Sequence, residues 1–241
     1  FTPDAGAFWR VCAEYGVKAI FAAPTAFRAI RKEDPNAELM KLHDLSKLET
    51  IFMAGERLDP PTYHWACEVS GKPVIDHWWQ TETGWAICAN LAGIELLPAK
   101  AGSATKPVPG YHVQILDENG QTLGANEQGN IAIKLPLPPG CLTTIWGNPE
   151  RYSAGYLSQF EGYYTSGDGG YLDEEGYLFV MGRTDDVINV AGHRLSTGEM
   201  EEIIASHPAV AECAVVGKPD AERGMLVKAF CVLRPGHSGD A

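Results

Sequence analysis

Residues 76–85, with the sequence DHWWQTETGW, place several groups that could bind a nucleotide in one short stretch. The neighbouring tryptophans offer a stacking surface or a pocket wall, and Thr81 offers a hydroxyl. Glu82 offers a carboxylate that can hold a hard cation such as Mg²⁺, and Gly84 would let the backbone approach a ligand. The stretch therefore suits a nucleotide phosphate with Mg²⁺. Tryptophans that fill a core, followed by a helix with Thr81 as its N-cap, would account for the same residues.

A second group of candidate residues lies within residues 163–196. Asp168 stands between glycines in a predicted turn, where its carboxylate could accept hydrogen bonds from the two vicinal hydroxyls of a ribose. Arg183 precedes a predicted domain boundary, and its guanidinium could reach a phosphate. The alternative is an Asp-Gly hairpin turn and an arginine on the surface.

The segments before Asp76 predict a parallel sheet that would position the first group. Apolar residues at helical spacing predict a helix over 5–15, and three buried strands are predicted at 17–24, 49–55 and 72–77 with helices at 25–32 and 60–71 between them. This β-α-β-α-β order indicates an α/β fold with a doubly wound parallel sheet. Ligands bind beyond the carboxyl ends of such strands, so we expect residues 22–25, 54–57 and 76–82 to line one cleft.

The pattern changes after Pro98. Short alternating strands surround an Asn-Gly turn at 119–120, which predicts an antiparallel sheet or a small β-barrel-like subdomain. After Arg183, a strand, a helix and two more strands predict part of a small α+β domain. We therefore expect a large domain over 1–184, divided into an α/β part (1–100) and a β-rich part (101–184), and an incomplete C-terminal domain over 185–241.

Composition argues against several classes of partner. The chain has 241 residues, 45% of them hydrophobic, and its 19 Lys and Arg against 31 Asp and Glu give a net charge of −12. Nucleic acids and anionic membranes need a basic face, so neither is expected as a partner. The six cysteines form no C-x-x-C pair, which predicts a reduced cytoplasmic location and makes a structural zinc site unexpected.

The first residue is not Met and the last follows a strand-like run, so we expect an internal segment of a longer protein.

Five motifs, in this order and with this spacing, resemble those of the adenylate-forming acyl-CoA synthetases. They are AAPTAFRAI, AGERLDP, DHWWQTETG, GYYTSGDGGYLDEEGYLFVMGRTDDVINVAGHRLS and SHPAVAECAVVG. The resemblance extends over essentially all 241 residues and is strongest to the acetyl- and propionyl-CoA synthetase branch. It implies the adenylate-forming enzyme fold, in which a small C-terminal domain rotates between two half-reactions. The first makes an acyl-adenylate from a carboxylate and MgATP, and the second transfers the acyl group to coenzyme A.

The same resemblance implies roles for individual residues. Contacts with ATP or AMP would come from Gly55, Glu56, Arg57, Asp76, His77, Trp78, Gln80, Thr81, Asp168, Arg183 and Arg194. Of these, Thr81 would contact the α-phosphate, Asp168 the ribose, and Arg183 the ribose or a phosphate. Glu82 would hold Mg²⁺, and Thr81, Glu82 and Arg183 would be the catalytic residues. Asp185 would be the hinge, and the loop from Ala191 through Gly192 and His193 to Arg194 would face the cleft for thioester formation, lining the coenzyme A channel.

Two further residues bear on the choice of carboxylate. In the family branch that the chain resembles, a tryptophan at the place of Trp79 closes the acyl pocket after two or three carbons. Ala54 stands where acetate enzymes usually have the larger Val, which leaves room for one more methylene, worth about 1 kcal/mol of discrimination. The sequence therefore favours propionate over acetate.

Several features differ from the usual pattern of the family. GER at 55–57 replaces the commoner Gly-Glu-Pro, and GMLVKAFCVL is more like medium-chain relatives. The phosphate loop of the family would lie before Phe1 and its catalytic Lys after Ala241, so we expect the segment alone to be inactive as a ligase. A medium-chain or aryl synthetase, and a non-catalytic or fused adenylate-binding module of a multifunctional enzyme, stay open as alternatives.

Overall fold

The computed structural model describes residues 3–184, 186–190, 193–220, 224–234 and 236–239. Its first part is a parallel sheet of three strands in the order β1-β2-β3, namely β1 (Ala19–Ala22), β2 (Thr50–Met53) and β3 (Val74–Asp76). Ala22 pairs with Met53, and Met53 pairs with Asp76, so all three strands end at the same level. The predicted convergence of their carboxyl ends is confirmed.

Four helices accompany this sheet: α1 (Ala7–Tyr15), α2 (Pro24–Glu33), α3 (Glu38–Lys41) and α4 (Pro60–Ser70). The short helix α3 was not predicted. Pro24 and Pro60 begin α2 and α4, because proline suits the first helical turn, where its missing N–H is not needed. The core beneath the helices includes Trp9, which contacts Phe27 edge-on at 6.0 Å between ring centroids. Both side chains are fully buried, and they fix α1 and α2 against each other.

The second part is antiparallel, as predicted. Strands β4 (Cys88–Ala89) and β5 (Lys106–Pro107) pair with each other and lead into a sheet of four strands. These are β6 (Val113–Leu116), β7 (Gly129–Lys134), β8 (Tyr163–Leu172) and β9 (Leu178–Arg183), in the order β6-β7-β8-β9. Helix α5 (Pro149–Tyr152) and a π-helical turn (Ser153–Leu157) stand between β7 and β8. Within the part of the chain that the structure describes, this sheet is open and does not close into a barrel.

The predicted turn at Asp168 is wrong. Asp168 lies inside β8 and pairs directly with Arg183 of β9. The hairpin turn comes five residues later, where the Asp173 N–H donates to the Tyr177 carbonyl at 3.0 Å and the Asp173 carboxylate accepts from Glu175 N–H at 2.9 Å. Both sites have an Asp near glycines, so local composition did not distinguish the turn from the strand.

The third part contains β10 (Val187–Val190), β11 (His193–Ser196), α6 (Thr197–Ala205), β12 (Val210–Asp220) and β13 (Gly224–Leu233). The strands form an antiparallel sheet in the order β11-β10-β13-β12, and α6 packs against β12. The Ser196 hydroxyl donates to the Met181 carbonyl at 2.8 Å, which joins the start of α6 to β9. The predicted strand, helix and strand pair are present. No helix in the described ranges is long and apolar enough to cross a membrane.

Candidate nucleotide site

The turn that follows β3 is held by backbone hydrogen bonds to β4. Trp78 N–H donates to the Cys88 carbonyl at 3.0 Å, and Ile87 N–H donates to the Trp78 carbonyl at 2.8 Å. A single 3₁₀ turn (Thr81–Thr83) follows. Its N-cap is Gln80, whose N–H donates to the Thr83 hydroxyl at 3.1 Å, and not Thr81 as the helix-cap alternative assumed. Thr81 is exposed at the first position of this turn and Glu82 is half-buried beside it.

Gly84 ends the turn for a reason other than ligand approach. Its φ is 65°, and a Cβ at this position would lie 3.0 Å from the Gly140 carbonyl oxygen. Leu142 N–H also donates to the Glu82 carbonyl at 2.6 Å. The glycine therefore lets the segment around residues 140–142 pack against the turn and secure it.

Asp168 joins the two groups of residues that the sequence presents separately. Its carboxylate oxygen Oδ2 accepts hydrogen bonds from Trp78 Nε1 at 3.1 Å and from Gln80 Nε2 at 2.8 Å. Its other oxygen, Oδ1, lies 3.6 Å from Arg183 Nη1. The Asp168 residue is only 8% exposed, so these contacts hold a buried negative charge in a defined orientation. Residues 90 positions apart in the chain thus form one cluster.

Gln80 is fixed at both ends of its amide group. Its Nε2 also donates to the Ser166 carbonyl at 2.7 Å, and its Oε1 accepts from the Tyr164 hydroxyl at 2.8 Å. Tyr164 is fully buried, and burial raises the pKa of its phenol, so it is a neutral donor at physiological pH. These bonds define the orientation of the Gln80 amide and connect the turn to residues in the first half of β8.

The conformation of β8 leaves room for the Arg183 guanidinium beside Asp168. Arg183 pairs with Asp168 across the two strands, and its Nη1 donates to the Ser166 carbonyl at 3.1 Å. Ser166 is itself fixed, since its hydroxyl donates to the Ile131 carbonyl at 2.6 Å. Gly167 has φ 72°, and a Cβ there would lie 2.6 Å from Arg183 Nη2. The guanidinium therefore occupies the space that a side chain at position 167 would need.

Replacing Gly167 by Ala is expected to displace the Arg183 guanidinium and to lower stability. The new methyl group would overlap Nη2, and the left-handed backbone adds a cost of about 1–2 kcal/mol. Thermal unfolding of the intact protein measures the stability change, and titration with ATP measures the effect on the site. Gly155 is a suitable control for an added methyl group, because no atom lies within 4 Å of a Cβ there and its φ needs no glycine. Equal behaviour of G167A and G155A would contradict the packing argument.

Glu82 is oriented by a tyrosine that the sequence did not single out. The Tyr156 hydroxyl donates to Glu82 Oε1 at 2.8 Å, and this bond is the main cause of a raised pKa of Tyr156. The Tyr156 ring stacks on Tyr164 with 5.5 Å between centroids and 6° between planes. Through this pair the carboxylate of Glu82 and the amide of Gln80 are supported by the same stacked rings.

The geometry at Glu82 fits an Mg²⁺ site of the kind completed by a substrate. In the described residues no group of three or more His, Cys, Asp or Glu side chains could form a metal cage. Mg²⁺ commonly uses one or two protein carboxylates together with phosphates and waters. A single half-buried carboxylate whose orientation is fixed by Tyr156 matches that mode of binding.

Asp76 and His77 lie at the end of β3 in a poorly solvated environment. Burial raises the pKa of Asp76 to about 7, although the nearby Arg57 guanidinium acts in the opposite direction. Burial lowers the pKa of His77, which keeps its ring neutral near pH 7. The ring of His77 contacts the rings of Phe21 and Phe52, at 5.3 and 5.8 Å between centroids. Interactions of the ring with the backbone of Met53 and Ile75 act in the opposite direction on the His77 pKa but do not outweigh burial.

Glu56, which follows β2, makes its contacts with the start of α2. Glu56 accepts hydrogen bonds from Thr25 N–H at 2.8 Å and from Arg28 Nη2 at 2.6 Å, and also from the Thr25 hydroxyl. Burial acts to raise the pKa of Glu56, but these bonds and the Arg28 charge outweigh it and the pKa is lowered. The carboxylate of Glu56 thus joins the end of β2 to the start of α2. Ala54 is buried, and Gly55 follows it with φ 103°.

Trp79 points to a different side of the turn from Trp78. Its side chain is 36% exposed, and its ring lies 6.4 Å from the ring of Phe21, which is 58% exposed. Phe21 is on β1 and Trp79 follows β3, so the two rings form an apolar surface across the carboxyl end of the sheet. This surface is separate from the polar cluster around Asp168.

Some predicted site residues cannot be placed. Asp185, Ala191 and Gly192 lie outside the described residues, as do the side chains of His193 and Arg194. Four residues that contact the site residues were not identified by the sequence analysis: Tyr156, Tyr164, Ser166 and Gly167. Only Gly167 had a local signal, since it directly precedes Asp168. Tyr156 lies in a segment whose pattern gives no indication of a site.

Comparison with known proteins gives two family matches. The family model described as AMP-binding enzyme matches residues 1–138, and the model described as AMP-binding enzyme C-terminal domain matches residues 199–241. The first match includes the turn after β3, and the second includes β12 and β13 of the third part.

Similar proteins are known with both names and structures. The chain is 55% identical over 234 residues to the acyl-CoA synthetase short-chain family member 3, mitochondrial, of Homo sapiens, with 97% of the chain and 34% of that protein covered. It is 48% identical to the propionate–CoA ligase of Escherichia coli (strain K12), with 98% and 38% covered. The crystal structure of the anthranilate CoA ligase AuaEII in complex with anthranoyl-AMP superposes with a TM-score of 0.78 at 29% identity, over 98% of the chain and 43% of that protein. The chain therefore spans about a third of the length of the curated relatives it matches.

Proposed function

The chain belongs to the AMP-binding enzyme family, and on that premise we propose that the protein containing it is an AMP-forming acid–thiol ligase. It would convert a short-chain carboxylate and ATP to an acyl-adenylate and pyrophosphate, and then transfer the acyl group to coenzyme A with release of AMP. One observation carries the proposal. The Asp168 carboxylate, Trp78, Gln80 and Arg183 form a single preorganised cluster at the carboxyl end of the parallel sheet, where this fold class binds ligands.

In the first half-reaction, this cluster would bind the ribose and the α-phosphate. Asp168 would accept the ribose hydroxyls while Trp78 and Gln80 hold its orientation. Arg183 and the exposed hydroxyl of Thr81 would donate to phosphate oxygens. Fixed donors near the α-phosphate stabilise the charge that develops as the carboxylate attacks, because no reorganisation is needed at the moment of reaction.

Glu82 would hold Mg²⁺ through the carboxylate that Tyr156 orients. When bound, Mg²⁺ would neutralise phosphate charge. Asp76, His77 and the Gly55–Arg57 segment would form the wall next to adenine. Burial keeps the His77 ring neutral by lowering its pKa, so this part of the wall would carry no positive charge.

The second half-reaction would use residues after β9. We propose Asp185 as the hinge, with Ala191, Gly192 and His193 lining the path of coenzyme A and Arg194 reaching the nucleotide. Rotation about a hinge would let one cleft serve both half-reactions. The segment by itself is expected to be inactive, because it spans only about a third of the length of its curated relatives.

Propionate is the proposed substrate, with acetate next. The indole of Trp79 and the small Ala54 would define an acyl pocket of two or three carbons. The apolar surface of Trp79 and Phe21 supports an acyl chain at that side of the turn. Relatives named propionate–CoA ligase and short-chain acyl-CoA synthetase support the same substrate class.

Replacing Trp79 by Gly is expected to move the preferred carboxylate to longer chains. Removing the indole opens the pocket, and each added methylene that becomes buried contributes about 0.8 kcal/mol, or roughly fourfold in kcat/KM. The measurement is kcat/KM for a series of straight-chain acids. Trp85→Gly is the matched control, since Trp85 is 69% exposed in the same segment. An unchanged optimum in W79G would show that Trp79 does not limit the pocket.

The activity itself is tested on the intact protein. Carboxylate-dependent release of pyrophosphate from ATP should be greatest for acids of two or three carbons, and addition of coenzyme A should yield acyl-CoA and AMP. A maximum at six carbons or more would indicate a medium-chain synthetase. Binding of ATP without acyl-CoA formation would indicate a non-catalytic adenylate-binding module.

The partners of the protein would be small molecules, namely a carboxylate, ATP and coenzyme A. Fusion to other domains stays a prediction, and so does the cytoplasmic location expected from the cysteine pattern. The name of the human relative places that protein in the mitochondrion.

A further inference from the structure

Two cysteines face each other across the long hairpin of the third part. Cys213 on β12 and Cys231 on β13 are direct partners in the antiparallel register, between Glu212 paired with Val232 and Ala214 paired with Phe230. Side chains of directly opposed residues lie on the same face of a sheet. Both cysteines are free thiols, and neither is among the residues proposed for the nucleotide site.

The hydrogen bonding of β12 shows which kind of pair they form. Val215 N–H donates to Glu201 Oε1 on α6 at 2.7 Å, so it is directed away from β13. In an antiparallel ladder, N–H groups on one strand point alternately toward and away from the partner strand. Val215 therefore belongs to a non-hydrogen-bonded pair with Ala229, and Cys213 with Cys231, two residues along, belongs to the same class.

This class of pair places the two Cα atoms within the range of separations that a disulfide spans. Opposed Cα atoms in non-hydrogen-bonded pairs are about 4.5 Å apart, at the short end of the range of about 4.4–6.8 Å found for disulfides. A bond at that limit is more easily reduced than an unstrained one. A disulfide here would therefore form without moving the strands and would be reversible.

The surroundings give the two sulfurs different accessibility. Cys231 is exposed, whereas Cys213 is half-buried beneath α6, with its Sγ 3.2 Å from the Glu201 carbonyl oxygen. Burial, the Glu201 carboxylate and the neighbouring Cys231 thiol together raise the pKa of Cys213. An oxidant would therefore reach Cys231 first, and Cys213 would be the second thiol to react.

We propose that Cys213 and Cys231 form a reversible cross-strand disulfide when the protein meets a hydroperoxide. The Cys231 thiolate attacks the terminal oxygen of the hydroperoxide ROOH, so that an S–O bond forms, the O–O bond breaks and the sulfur is oxidised to a sulfenic acid. The RO⁻ group leaves and is protonated to ROH, which is water when the oxidant is hydrogen peroxide. The Cys213 sulfur then attacks the sulfenic sulfur, the S–S bond forms, and the hydroxyl leaves as water with the Cys213 proton. A dithiol reverses the process by thiol–disulfide exchange.

The test is peptide mapping of the intact protein after brief treatment with hydrogen peroxide. Free thiols are alkylated, and the protein is digested with trypsin without reduction. Cleavage after Arg223 and Lys228 separates the two cysteines into different peptides. We expect the peptide with Cys213 linked to the peptide with Cys231 as the main form of Cys231, and loss of this product after dithiothreitol.

Variants distinguish this pair from other products. C213S should leave Cys231 as a sulfenic or further oxidised acid with no intramolecular link, and C231S should leave Cys213 as a free thiol. C67S should behave as the wild type, because Cys67 is on α4. The proposal is overturned if Cys231 remains free or is overoxidised in the wild type, or if it links to a different cysteine. None of these outcomes depends on ligase activity, so failure here and failure of the proposed function are separable.

Discussion

Replacing Glu82 by Gln in the intact protein is expected to lower the rate of carboxylate-dependent pyrophosphate release about a hundredfold to a thousandfold. The substitution keeps the size of the side chain and an oxygen that can accept from the Tyr156 hydroxyl, now 2.8 Å from Glu82 Oε1. It removes the negative charge proposed to hold Mg²⁺. The dependence of the rate on Mg²⁺ concentration, measured at saturating ATP and carboxylate, should shift to higher concentration.

Tyr156→Phe is the matched control for the Glu82 variant. It leaves the Glu82 carboxylate in place and keeps the ring that stacks on Tyr164, but it removes the hydrogen bond. Loss of one bond to a charged group corresponds to about 2 kcal/mol, so the rate should fall by roughly thirtyfold or less. A wild-type rate in E82Q would show that Glu82 does not hold the metal. Equal losses in both variants would show that orientation matters more than charge.

The second large effect is expected at Asp168. Asp168→Asn should raise KM for ATP about tenfold to a hundredfold, because hydrogen bonds from the ribose hydroxyls to a carboxylate are worth about 1.5–3 kcal/mol each. The amide also places an NH₂ group in a cluster where Trp78 Nε1 and Gln80 Nε2 both already donate to Oδ2. Both donors would lose their charged acceptor, and both would face another donor if the NH₂ group took the place of Oδ2.

Comparing ATP with 2′-deoxy-ATP tests the ribose contact specifically. The wild type should prefer ATP, and D168N should lose most of that preference. Asp173→Asn is the control on the same hairpin, since Asp173 pairs with Lys100 at 2.5 Å outside the cluster. D173N should lower the unfolding temperature, because it removes the charge that pairs with Lys100, and should leave KM for ATP unchanged. If D168N keeps the wild-type preference for ATP, Asp168 does not bind the ribose.

Local patterns were sufficient for most of the secondary structure. Pro60 marked the start of α4, whereas Pro24 was predicted to close the first strand and instead begins α2. Apolar runs marked β1, β2 and β3, although β1 was predicted to be buried and is buried only at Ile20, because it lies at the edge of the sheet. The parallel arrangement followed from the alternation of strands and helices, because parallel strands need a crossover between them. Helix α3 was missed because a helix of four residues is too short to show periodicity.

The error at Asp168 has a different origin. Glycine and aspartate are common both in hairpin turns and in strands with irregular backbone, so composition near Asp168 matched a turn. In the structure, β8 continues through Gly167 with a shift of register between Gly169 and Gly170. That irregularity depends on the partner strand β9 and on Arg183 occupying the space beside Gly167, neither of which is local.

The sequence by itself determined the fold class, the meeting of three strand ends at one edge, and the family resemblance, since these depend on periodicity, chain order and motif spacing. Only the tertiary structure decided which side chains share a site. The Asp168 carboxylate accepts hydrogen bonds from Trp78 and Gln80. The Glu82 carboxylate is oriented by the Tyr156 hydroxyl. The Glu56 carboxylate accepts from Thr25 and Arg28. Hydrogen-bond partners far apart in the chain are selected by packing and burial, and neither is encoded in the spacing of residues along the sequence.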